Sequence, residues 1–89
     1  MTIKVEVFSS PGCGKCGQAK KTLKNIVDEF GDAAIQWREV NILEELDYAV
    51  NLGVLSTPAI AINGELEYTG LPSAGKLRAH LQKLLEEKA

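Results

Sequence analysis

Eighty-nine residues suffice for one domain with one core, and residues 1–89 are read as a single domain. An apolar fraction of 45% excludes a disordered chain, and the dispersed net charge of −2 marks no nucleic-acid or anionic-membrane surface. No apolar run reaches the length of a membrane span, and the Met1–Glu6 start lacks the basic-then-apolar build of a signal peptide. The cytoplasm is the expected compartment and a monomer the expected state. There, a close pair of cysteines points to redox or metal chemistry before it points to a structural staple.

Ile3-Lys4-Val5-Glu6-Val7-Phe8 alternates and then turns apolar, which predicts a strand. Pro11 and Gly12 break it into a tight turn. The only two cysteines follow as Cys13-Gly14-Lys15-Cys16. Gly17 to Phe30 then reads as a helix. Cys16, Ala19, Leu23, Ile26, Val27 and Phe30 share one face, with Lys20, Lys21, Lys24 and Asp28 on the other, and Gly31 is the stop. Cys16 lies on the core stripe while Cys13 sits at the helix start, so one thiol should be exposed and the other shielded.

Ile35-Gln36-Trp37-Arg38-Glu39-Val40 alternates imperfectly and suits an edge strand. Asn41 is placed to cap a short helix over Leu43 to Leu52, with Leu46, Ala49 and Val50 inward and Gly53 at its end. The run Ala59-Ile60-Ala61-Ile62 reads as a strand buried on both faces, and Asn63-Gly64 as a hairpin turn. Glu65 to Thr69 is the returning edge strand. Ser73 can cap a last helix bearing Leu77, Leu81, Leu84 and Leu85 on one face. The order β-α-β-α-β-β-α predicts an α/β fold: a four-stranded mixed sheet, its first half a parallel βαβ unit, with helices on both faces.

The cysteine pair carries the chemistry. Thiols at this spacing can close a small disulfide ring, and the free N–H groups and dipole of a helix start favour thiolate over thiol. Lys15 adds positive charge close to Cys13. Glu6, on the strand face opposite Val5 and Val7, is read as lying near the solvated end or pairing with a lysine; its functional alternative is a proton acceptor near Cys16. His80, Trp37, Tyr48 and Tyr68 are read as boundary or packing residues.

Three features together resemble the thioredoxin-fold superfamily: the Cys13–Cys16 turn after the first strand, Thr57-Pro58 before the third, and the strand–turn–strand–helix ending with Gly70. The resemblance covers nearly the whole chain. In size it is similar to the glutaredoxin-like thioredoxins, without the extra N-terminal strand and helix of longer thioredoxins. It implies a thioredoxin fold and a thiol–disulfide oxidoreductase acting as a protein disulfide reductase. Cys13 attacks and Cys16 resolves, with no cofactor and no metal. It further implies a cis Thr57–Pro58 bond, a substrate backbone bound along Thr57, Pro58, Gly12 and Gly70, disulfide-containing protein substrates, and a thioredoxin-reductase-like electron donor. The chain departs from the usual patterns. Gly12 and Lys15 replace the Trp and Pro of the thioredoxin motif, and Val7 stands where a buried Asp is usual. Gly70-Leu71-Pro72-Ser73 replaces the glutathione-gripping Gly-Gly-x-Asp of glutaredoxins.

Two other functions fit the cysteines. A copper or mercury carrier also places C-x-x-C after a first strand, since two thiolates suit a soft ion. Such carriers usually have Met-Thr-Cys and end in a strand, whereas here Pro11-Gly12 precedes Cys13 and the chain ends in a helix. A redox-sensing interaction module would use the same disulfide to switch a partner. Structural zinc needs four ligands, and only Cys13, Cys16 and distant His80 are candidates.

Overall fold

The computed structural model describes residues 2–31 and 33–88. Seven elements follow the expected order: β1 (Ile3–Ser9), α1 (Cys16–Phe30), β2 (Ile35–Asn41), α2 (Leu46–Leu52), β3 (Ala59–Ile62), β4 (Glu65–Tyr68) and α3 (Ala74–Lys88). The sheet order is β2-β1-β3-β4, with β1 parallel to β2 and antiparallel to β3, and β3 antiparallel to β4. Both predicted edge strands are at the edges.

The alternation of β1 divides the core in two. Ile3, Val5 and Val7 face α1 and α3, packing with Leu23, Ile26, Ile60, Leu77 and Leu81. Phe8 faces the other way, with Val40, Ala49, Val54, Ala59 and Ala61 under α2. β3 is buried throughout because each of its faces meets one of these clusters. Its isoleucines fill the two-helix side and its alanines the α2 side.

Local chemistry sets the ends of the elements. Gly31, at φ +93°, closes α1 by donating to Val27 O at 2.7 Å. Asn63 and Gly64 both have positive φ, as a two-residue hairpin requires. Ser73 caps α3, its Oγ accepting from Lys76 N and its carbonyl from Leu77 N.

The second helix differs from expectation. Asn41 accepts the Leu43 N–H on its side chain and the Glu44 and Glu45 N–H groups on its carbonyl. Its hydrogen bonds therefore build a turn, and α2 starts three residues later, at Leu46. Of the three residues expected inward only Ala49 is buried; Leu46 is 55% and Val50 59% exposed. Ile42, Tyr48 and Leu52 pack against the cluster in their place.

Candidate active site

The topology gathers the chemistry at one end of the sheet. β1, β2 and β4 all finish there and β3 begins there, because β3 alone runs the opposite way. That end therefore carries the Ser10–Lys15 turn, the Asn41 turn, Thr57-Pro58 and Gly70.

The turn leaves β1 with Cys13 N donating to Ser10 O at 3.2 Å, while Gly12 takes a φ of +80° that favours glycine. Cys13 and Cys16 are joined in a disulfide with Cα atoms 5.5 Å apart. α1 begins at Cys16 with exposed Lys15 as its N-cap, so Cys13 lies one turn ahead of the helix and not within its first turn. The thiols are unequal, as expected: Cys13 is half-buried, whereas Cys16 is 5% exposed with its Sγ 4.0 Å from Phe8 O.

The Thr57–Pro58 peptide is cis, and Pro58 is buried. Thr57 Oγ1 and Ser10 Oγ are hydrogen-bonded at 2.8 Å, which ties this loop to the cysteine turn. Gly70 is half-buried in the bend after β4.

Two polar clusters went unseen in the sequence. Ser9, buried at the end of β1, donates to Glu39 Oε2 at 2.8 Å, and Lys20 Nζ reaches the same oxygen at 3.0 Å. Lys20 lies one helical turn beyond Cys16. Its hydrogen bond, and then that of Ser9, hold the Glu39 carboxyl below the usual carboxylate range. On the α2 face, Glu6 accepts from Arg38 Nε at 3.0 Å and from the Tyr48 hydroxyl, and Arg38 also binds Glu45. The Glu6 hydrogen bond raises the Tyr48 pKa. The expected partner of Glu6, a lysine, is thus replaced by Arg38, its register neighbour on β2. Glu6 lies on the face away from α1 and Cys16, so its place as a proton acceptor for that thiol is withdrawn. With Lys4, Trp37 and Asn63 it lines an open groove of about 680 Å³ that includes none of the cysteine turn.

A half-buried cysteine, a more deeply shielded partner and a helix N-terminus behind them make a dithiol–disulfide exchanger. The comparisons agree. A family model described as a thioredoxin domain matches residues 1–82. A thioredoxin of Methanocaldococcus jannaschii is 32% identical over 83 residues, covering 93% of this chain and 96% of its own. A probable thioredoxin of Methanothermobacter marburgensis is 36% identical over 77 residues, 86% of this chain and 89% of its own. A solved structure titled as a malarial protein has the same fold, with a TM-score of 0.81 at 21% identity over 93% of this chain and 97% of that one. The chain belongs to the thioredoxin family and is a thiol–disulfide oxidoreductase of the thioredoxin fold. Among the described residues no helix is long and apolar enough to cross a membrane.

Proposed function

We propose that this chain, working over residues 1–89 as one monomeric cytoplasmic domain, is a protein disulfide reductase in which Cys13 attacks and Cys16 resolves. The observation that carries this reading is the inequality of the two sulfurs: only Cys13 has appreciable exposure. In the reduced protein, the N–H groups and dipole of α1 stand behind Cys13 and favour its thiolate, and Lys15 adds positive charge nearby. The Cys13 thiolate attacks one sulfur of a substrate disulfide, and the other sulfur leaves as a thiolate and takes a proton. Cys16 then loses its proton and attacks the Cys13 sulfur. The second substrate thiol is released and the Cys13–Cys16 disulfide is formed. Two electrons from a donor dithiol restore the pair. Thr57, Pro58, Gly12 and Gly70 hold the substrate backbone across the same sheet end.

The donor proposed is a thioredoxin-reductase-like flavoprotein. Gly70-Leu71-Pro72-Ser73 offers no acidic residue to grip the glutathione amino group. In an insulin-reduction assay, NADPH with thioredoxin reductase should sustain turnover, and glutathione should not replace it. Efficient turnover of hydroxyethyl disulfide through a glutathionylated Cys13 would contradict this assignment.

A further inference from the structure

The resolving attack asks most of Cys16, which must become a thiolate although it is only 5% exposed and its sulfur rests 4.0 Å from Phe8 O. Burial opposes that ionisation, so the charges nearest this thiol decide how readily it occurs. Lys20 stands four residues further along α1, at the border of its buried side, and neighbours at this spacing lie about one helical turn apart. Its ammonium meets Glu39 Oε2 at 3.0 Å. The buried Ser9 hydroxyl donates to that same oxygen at 2.8 Å. Ser9 directly follows Phe8, so the cluster is anchored one residue from the carbonyl beside the Cys16 sulfur. Lys20 and Ser9 hold the Glu39 carboxyl below the usual carboxylate range, which keeps it ionised at neutral pH.

Among the described residues, few other charges share this side of the sheet. β1 and β3 pack apolar side chains against α1, namely Val5, Val7, Ile60 and Ile62. On α3, Arg78 is tied to Glu29 in the last turn of α1, and His80 to Tyr68 of β4. Lys21, Lys24 and Asp28 are exposed on the outer side of α1, and Glu6, Arg38 and Tyr48 bond to one another on the α2 face. Exposed Lys15, next to Cys16, lies at the helix start on the side of Cys13. The Lys20–Glu39 pair is therefore the charged group set beside Cys16 away from its partner sulfur.

We propose that Lys20 and Glu39 are opposed positioning residues for the resolving step: the ammonium favours the Cys16 thiolate, and the carboxylate anchored by Ser9 restrains it. Neither touches the substrate or exchanges a proton with Cys16, whose proton goes to water. The proposal rests on the reductase reading, in which Cys16 resolves, and adds to it the groups that set the rate of resolution. The two side chains are 38% and 42% exposed, so solvent screens them. One unit charge about 7 Å away through a water-like dielectric changes an ionisation equilibrium about threefold.

The test mixes the reduced protein with one equivalent of dithiobis-nitrobenzoate in a stopped-flow instrument. Cys13 attack releases one thionitrobenzoate; Cys16 attack on the Cys13 sulfur releases the second and closes the disulfide, so the slower phase reads resolution alone. Rates are taken from about pH 6 to pH 9.5 for wild type, Lys20→Gln, Glu39→Gln, the double variant and Lys20→Arg, with thermal melts beside them. On the rising limb of the profile, Lys20→Gln should resolve about threefold more slowly and Glu39→Gln about threefold faster, with the midpoint moved to higher and lower pH respectively. The double variant should return toward wild type, Lys20→Arg should match it, and the first phase should be unchanged throughout. A merely structural pair gives the opposite pattern, because both single variants lose the same salt bridge and both change alike. Slower resolution in both single variants overturns the proposal, and in Glu39→Gln it would make that carboxylate a proton acceptor. Unmoved profiles, or Lys20→Arg as slow as Lys20→Gln, overturn it as well. A wild-type protein that releases only one thionitrobenzoate would instead sink the reductase reading beneath it.

Discussion

Glu6→Gln separates a structural carboxylate from a catalytic one. The Glu6 side chain is 12% exposed and accepts from Arg38 and from the Tyr48 hydroxyl. Charged hydrogen bonds at shielded sites contribute about 1.5–3 kcal/mol, but Arg38 is 52% exposed, and such pairs fall to about 1 kcal/mol or less. Glutamine keeps one acceptor oxygen, so part of the Tyr48 bond survives, while the charge opposite Arg38 is lost and Arg38 retains only Glu45. The expected net loss is about 1–2 kcal/mol, which for a chain of this size lowers the Tm by roughly 5–15 °C. Insulin reduction below the melting range should be unchanged, because Glu6 lies on the sheet face away from Cys16. Urea and thermal melts at neutral pH, run beside the activity assay, read both quantities. A variant as stable as wild type but several-fold slower in disulfide reduction would refute the reasoning.

The Glu39 carboxyl is held below its ordinary range by Lys20 and Ser9, so its stabilising effect is full above the usual carboxylate range and is lost as pH falls through the depressed value. Glu39→Gln should therefore lower the Tm slightly at pH 7 and converge with wild type as the pH falls through the depressed value; a gap independent of pH contradicts the assignment. Leu23 is fully buried between α1 and the sheet. Leu23→Ala should cost about 2–5 kcal/mol in urea unfolding, and a cost below about 1 kcal/mol would mean that this core repacks freely.

Most of the fold was legible because its signals are local. The helical stripe from Cys16 to Phe30, the continuous run Ala59–Ile62 and the Asn63-Gly64 turn each state their conformation within a few residues. The shielding of Cys16 was legible for the same reason, since it shares a face with Ala19 and Leu23. Sidedness in α2 was not. A seven-residue helix has two turns, and Leu46, Ala49 and Val50 at i, i+3 and i+4 look like an inward face whichever side meets the sheet. The deciding facts are the Asn41 turn, which delays the helix, and the Tyr48–Glu6 bond, which sets its roll. The partners of Glu6 and Glu39 were hidden because strand pairing decides them: Glu6 meets Arg38, and Ser9 comes within reach of Glu39, only once β1 and β2 are paired. Nothing near Ser10 in the chain announces Thr57, 47 residues away.

The division of labour between the two sulfurs is tested most directly by trapping. Cys16→Ser, reduced and mixed with a disulfide-bearing protein, should attack once through Cys13 and accumulate a stable mixed disulfide, visible by mass spectrometry and released by dithiothreitol. Cys13→Ser should form none. In the reduced wild-type protein, iodoacetamide near neutral pH should label Cys13 before Cys16. Faster labelling of Cys16, or a Cys16→Ser protein that captures no partner while Cys13→Ser does, would contradict the account.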